Sequence, residues 1–152
     1  MTKKDWLLIL ALVALTTVYA VWFTDWFKPR IIQISSASRN TRLNPRFHKA
    51  DNPTAALPPF FILGTPCRLT ELEVVPLLEW QTNHEALPVW HLISSSNSVL
   101  VAKFPYGMNI HGMQPAVAGG RAQPLIPHVM YHLILKAGRA KGEHDFEAKP
   151  AD

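Results

Sequence analysis

The chain has 152 residues, 48% of them hydrophobic, a formal net charge of +4 and a single cysteine. That length suits one domain with an extension, and a lone Cys67 excludes an internal disulfide, a CxxC redox pair and a zinc knuckle. The mild basicity comes with no helix-turn-helix, no zinc finger and no aromatic–basic interleaving, so nucleic acid is not an expected partner.

The first feature in chain order is an uncharged run, WLLILALVALTTVYAVWF, over residues 6–23. A stretch of about 18 or more apolar residues is long enough to cross a bilayer core as a helix. Trp6 stands at one end, and Trp22, Phe23, Trp26 and Phe27 at the other, the pattern of aromatic belts at two interfaces. Lys28 and Arg30 mark the return to water. The rival reading is a cleaved signal peptide, with Val18-Tyr19-Ala20 as the cleavage site. The apolar run continues past Ala20, which favours an uncleaved single-pass anchor over residues 6–27, preceded by a short basic tail at 1–5. Lys3 and Lys4 in that tail favour a cytoplasmic N-terminus and place the remainder outside, in the periplasm or its equivalent. The basic flank beyond the anchor argues the other way.

Residues 28–58 form a basic segment. Lys28, Arg30, Arg39, Arg42, Arg46 and Lys49 occur there with no acid between Lys28 and Ala50. A basic juxtamembrane stretch attracts anionic lipid, so Lys28, Arg30, Arg39 and Arg42 are candidate lipid contacts; a solvated linker is the alternative. Within it, RIIQISS alternates, with Ile32 and Ile34 on one side, and reads as a first strand over 31–35. Residues 39–58 are rich in Asn, Pro, Arg and Ala and read as a loop.

From residue 59 to 147 short apolar runs are separated by proline and glycine. FFIL stops at Gly64. LTELEVVPL puts Leu72 and Val74 on one face and Glu71 and Glu73 on the other. PVWHLIS, SVLVAKFPYG and HVMYHLILKAG follow, then a turn at GRAKG and a last strand around His144–Phe146. Outside the anchor no amphipathic helix of convincing length is visible. Several short strands with turn signals between them predict an all-β sandwich or barrel, with residues 148–152 as a tail.

One constellation sharpens this. Leu125-x-Pro127-x-x-x-Tyr131 leads into Leu133, Leu135 and Ala137 at period two. This resembles the entry to the F strand of a fibronectin type III or immunoglobulin-like sandwich. The resemblance implies that Tyr131 forms a tyrosine corner, its ring buried and its hydroxyl bonded to the backbone a few residues upstream. Leu125 and Pro127 would shape that corner, and Trp90 would be the central tryptophan beneath the sheets. The connection from Phe104 to Pro124 departs from the pattern by its length and hides strand E. A single anchor followed by a compact sandwich also resembles small bacterial envelope proteins, a likeness that brings no activity with it.

Three functional readings follow. If Tyr131, Leu133 and Leu135 face inward, Met130 and His132 face outward. With His128 and the nearby Met108, His111 and Met113 they make a set of soft and borderline ligands that suits copper. The His128-Val129-Met130 triplet with Met108 upstream is similar to the Met and His-x-Met pattern of periplasmic copper chaperones, although no earlier histidine stands at the expected spacing. Catalysis has less to stand on: there is no G-x-S-x-G, no phosphate-binding loop, no H-E-x-x-H and no dinucleotide fingerprint, and Ser94–Ser96 sit in a turn with Asn97. No catalytic residue and no cofactor is expected, copper being the alternative. The favoured expectation is a non-catalytic docking module, an accessory subunit of a membrane or envelope complex. LPPFFIL and FPYGMNIHGMQPAVAGG are its candidate docking loops, or edges open to strand addition.

Overall fold

The computed structural model describes residues 2–23, 30–38, 56–94 and 98–150. Two units divide at Arg30.

The first unit is built on helix α1 (Lys3–Phe23). Its start has half of a capping box: Asp5 Oδ2 accepts the Thr2 backbone N–H at 2.8 Å and the Thr2 hydroxyl at 2.9 Å, while the Asp5 N–H donates to the Thr2 backbone carbonyl at 3.0 Å. Its 21 residues correspond to about 31 Å at 1.5 Å per residue, the thickness of a bilayer core. None of its residues is buried, and it is long and apolar enough to cross a membrane. Thr16 and Thr17 interrupt the apolar run without leaving polar groups stranded, because their hydroxyls donate to Leu12 O and Val13 O within the helix. Trp6 and Trp22 are exposed. Trp26 and Lys28 lie outside the described residues, as do Arg39, Arg42, Arg46 and Lys49; Arg30 is exposed.

The second unit contains two antiparallel sheets. One is formed by β1 (Ile34–Ala37), β2 (Phe60–Arg68) and β5 (Leu100–Pro105), in the order β1-β2-β5. The other comprises β3 (Glu71–Pro76), β4 (Trp90–Ile93), β6 (Gln114–Pro115), β7 (Met130–Ala137) and β8 (Ala140–Glu147), in the order β6-β4-β3-β7-β8. The period-two pattern sets their inner faces. Leu72 and Val74 from β3, Trp90 and Leu92 from β4, and Tyr131, Leu133 and Leu135 from β7 meet Phe61, Leu63, Val101 and Phe104 of the smaller sheet in one core. Phe61 joins the layers, with ring centroids 5.0 Å from Phe146 and 5.4 Å from Phe104. This is the β-sandwich expected from the strand pattern.

The first strand differs from expectation in a useful way. Ile31 pairs in parallel with Lys141 of β8, and the Ile32 N–H donates to Lys141 O at 2.9 Å. Pairing with β2 then begins at Ile34. The segment thus leaves the large sheet and enters the small one. Gly142 makes that crossing possible, since a Cβ there would lie 2.7 Å from Ile32 O and 2.9 Å from Ile34 Cδ1.

Other expectations are corrected. β2 does not end at Gly64 but runs on to Arg68 through a register shift between Ile62 and Cys67; Gly64 stays in the sheet by donating its N–H to Gln33 O. Half-buried there, Cys67 has its thiol pKa raised by burial. Pairing ends at Glu147, yet Ala148, read as tail, is fully buried and exchanges backbone bonds with His128 and Val129. Leu57, read as linker, donates to Lys149 O. A six-residue helix, α2 (Leu77–Thr82), follows β3 directly; the sequence reading contained no helix there. The β7–β8 hairpin turns at Gly138 and Arg139 between paired Ala137 and Ala140. Gly138 adopts φ 61°, a left-handed conformation that glycine takes without strain.

Candidate functional site

The long connection after β5 builds one candidate site. It sends β6 to the edge of the large sheet, where Pro115 pairs with Leu92, and then returns along the sandwich to Leu125. Between this excursion and the core lies a cleft of about 600 Å³ lined by Trp90, Tyr106, Met108, Pro115, Arg121 and Gln123 among others. β5 and β6 are the terminal strands of their sheets, so the cleft opens where the two sheets end. Trp90 is buried beneath it, with its ring centroid 5.0 Å from Tyr106 and 6.2 Å from Phe104. The Tyr106 hydroxyl donates to Gln123 O at 2.7 Å and ties the connection down. Burial, with a smaller contribution from Tyr131, holds the Tyr106 phenol pKa above its ordinary value, so this donor keeps its proton. The lining combines aromatic, proline and methionine surface with one cation, Arg121. Nothing in it suggests a nucleophile with a base.

The outward face of the large sheet is the other candidate. Register places His91 of β4 opposite Glu73 of β3, Glu71 opposite Lys136 of β7, and His132 opposite Asp145 of β8. Glu71 is fully engaged: Oε2 accepts from Lys136 Nζ at 2.5 Å, and Oε1 lies 3.0 Å from His91 Nε2. Its carboxyl pKa is lowered, chiefly by the Lys136 hydrogen bond. Donor atoms of Glu71, Glu73 and His91 come within 4.8 Å of one another. With both Glu71 oxygens occupied, this group reads first as an ionic network.

His132 is the unusual member. The period-two pattern makes it an outward, exposed residue, and β7 does turn it away from the core. The structure nevertheless buries it to 7% exposure, because α2 lies over this face. The Trp80 ring stacks on the imidazole at 5.5 Å with a 19° interplanar angle. His132 Nδ1 lies 2.5 Å from Asp145 Oδ1. A carboxylate only accepts, so Nδ1 carries the proton and donates it. With Nδ1 the protonated nitrogen, Nε2 is the atom left to present a lone pair. It is buried without a hydrogen-bond partner, with Glu143 Oε2 3.8 Å away, beyond hydrogen-bond range.

The proposed soft-ligand set is divided by the fold. Met113 is buried in the core. Met108 lines the cleft, and His111 is exposed in the turn before β6. His132 lies on β7, three strands from β6, which is about 14 Å at 4.7–4.9 Å per strand. Met130 is 41% exposed. His128 is exposed too, but its backbone has its own task. It adopts φ 63°, and its N–H donates to Ala148 O at 2.8 Å, which turns the chain into β7. Of the structural candidates, Trp90, Leu125 and Tyr131 are buried in one core cluster, Pro127 is half-buried, and the Tyr131 hydroxyl accepts the Ile126 N–H at 3.0 Å. Sequence reasoning missed Trp80, Glu143 and Asp145 as partners of His132. Strand pairing of His132 with Asp145 across the predicted hairpin was the signal that could have found one of them. In a comparison with known proteins, no family model, no curated protein and no solved structure matches the chain significantly.

Proposed function

We propose that the chain is a membrane-anchored, non-catalytic docking module, an accessory subunit whose sandwich is of the fibronectin type III or immunoglobulin-like kind and is held outside the cytoplasm. The fold assignment is supported by strand order. With β1, β2 and β5 as strands A, B and E, and β4, β3, β7 and β8 as C′, C, F and G, the order A-B-E against C′-C-F-G is that of the fibronectin type III arrangement. The bond between the Tyr131 hydroxyl and Ile126, five residues upstream, is the tyrosine-corner contact of such domains.

The observation that carries the docking reading is the cleft at the open side of the sandwich. It is flanked by two terminal strands, whose free edges can accept an extended segment by strand addition. Its proline, aromatic and methionine lining suits the side chains of such a segment, and Arg121 suits an acidic one. The occupant is therefore an extended, apolar-acidic stretch of a membrane-complex partner. α1 would hold the module at the bilayer, where the basic residues Lys28, Arg30, Arg39 and Arg42 are candidate contacts for anionic lipid. Two experiments test this. Co-purification in mild detergent should yield a stoichiometric partner that Arg121→Glu releases and Leu78→Glu on α2 does not. A C-terminal alkaline phosphatase fusion should be active and a fluorescent-protein fusion dark; the reverse pattern would refute the orientation.

A further inference from the structure

We infer that His132 Nε2 and Glu143 Oε2 form a divalent transition-metal site, with zinc the best-suited ion, on the α2-covered face of the large sheet. Three features of the geometry point there. First, His132 is more than nine-tenths buried and its Nε2 has no hydrogen-bond partner. A buried polar atom left unsatisfied is costly and calls for a partner such as water or an ion. Second, Asp145 fixes the ring from behind. Its carboxylate accepts the Nδ1–H hydrogen bond at 2.5 Å, which orients the imidazole and raises the basicity of Nε2. This carboxylate–histidine arrangement is the usual support behind a metal-ligating histidine.

Third, the gap fits an ion better than it fits a hydrogen bond. Zinc binds imidazole nitrogen at about 2.0–2.1 Å and carboxylate oxygen at about 2.0–2.2 Å. At a tetrahedral angle those bonds separate the two ligand atoms by about 3.4 Å. The observed 3.8 Å needs a closure of only a few tenths of an ångström, and the half-exposed Glu143 side chain can supply it. Lys141 settles which oxygen is free: its Nζ pairs with Glu143 Oε1 at 2.5 Å and leaves Oε2 toward the histidine. Water on the exposed side of Glu143 would complete the coordination. An N/O donor pair suits zinc more than the soft thioether-rich set that the sequence suggested for copper. The Glu71, Glu73 and His91 group lies on β3 and β4, two and three strands from β8 on the same face, and serves as the internal control.

The test is calorimetric titration of the tag-free full chain in detergent micelles with zinc chloride. One equivalent should bind. Affinity should fall at least about tenfold in Glu143→Gln, and about 10–100-fold in Asp145→Asn through loss of support behind the ring. Lys141→Ala should tighten binding, because it removes a competing cation from Glu143; a purely structural role for these residues gives no such gain. Copper(II) should quench Trp80 fluorescence at one equivalent, and Glu143→Gln should weaken that quenching. The inference is overturned if no stoichiometric zinc binds. It is equally overturned if binding is insensitive to Glu143→Gln and Asp145→Asn, or is lost instead in Glu73→Gln.

Discussion

Replacing Gly142 with alanine should detach the first strand from the large sheet. The added Cβ would stand 2.7 Å from Ile32 O, 2.9 Å from Ile32 Cβ and 2.9 Å from Ile34 Cδ1, whereas non-bonded carbons prefer about 3.5–4.0 Å. Two of the three obstacles belong to the Ile32 backbone and Cβ, so no flexible tip can swing aside, and the segment itself must move. Displacement breaks the Ile32 N–H to Lys141 O bond, worth about 0.5–1.5 kcal/mol. It also re-exposes much of the Ile32 side chain, now 9% exposed, at about 1.5–3 kcal/mol for full exposure. Against this stands the reduced entropy of the unfolded chain, about 0.4–1 kcal/mol. The net expectation is a loss of about 1–4 kcal/mol, or a fall in Tm of roughly 4–16 °C for a domain of this size. Thermal unfolding of the full chain in micelles measures it, and hydrogen exchange at the Ile32 amide localises it. A Tm within about 2 °C of the parent, with Ile32 still protected, would refute the bridging of the two sheets.

Three further outcomes are expected. Phe61→Ala removes the ring that joins Phe104 and Phe146 across the layers and should cost about 3–5 kcal/mol in denaturant unfolding. Tyr131→Phe leaves the Ile126 N–H without its acceptor and should cost about 1–2 kcal/mol; a neutral effect would remove the tyrosine corner from the account. For pH, the Glu71 carboxyl has a lowered folded pKa, chiefly through Lys136. A depressed carboxyl contributes stability above its unfolded pKa, and that contribution is lost as pH falls through the folded value. Glu71→Gln should therefore destabilise more at pH 7 than at about pH 3, as read from urea midpoints at both; an equal difference at the two pH values contradicts the Lys136 assignment.

The parts of this fold that were legible in the sequence are those governed by a local period. The uncharged run gives α1, and alternation gives the inward faces of β3 and β7, including Tyr131, Leu133 and Leu135. Long-range pairing was not legible. Gln114–Pro115 carries no strand signature, and β6 exists because β4 offers it an edge. His132 shows the same limit at the candidate site. Alternation correctly turns it away from the core. Only tertiary structure shows that a helix as short as LLEWQT, below the length at which periodicity can be recognised, covers it with Trp80. Met113 erred in the opposite direction: a loop methionine read as a ligand fills the core, as flexible thioether side chains often do.

The docking role is tested most directly by site-specific photocrosslinking in native membranes. A photoreactive residue at Val117 or Met108, exposed along the connection that walls the cleft, should trap one discrete protein partner. The same residue at Leu78, exposed on α2, should not. Equal crosslinking from both faces, or a chain that stays uncrosslinked and purifies alone, would contradict the account.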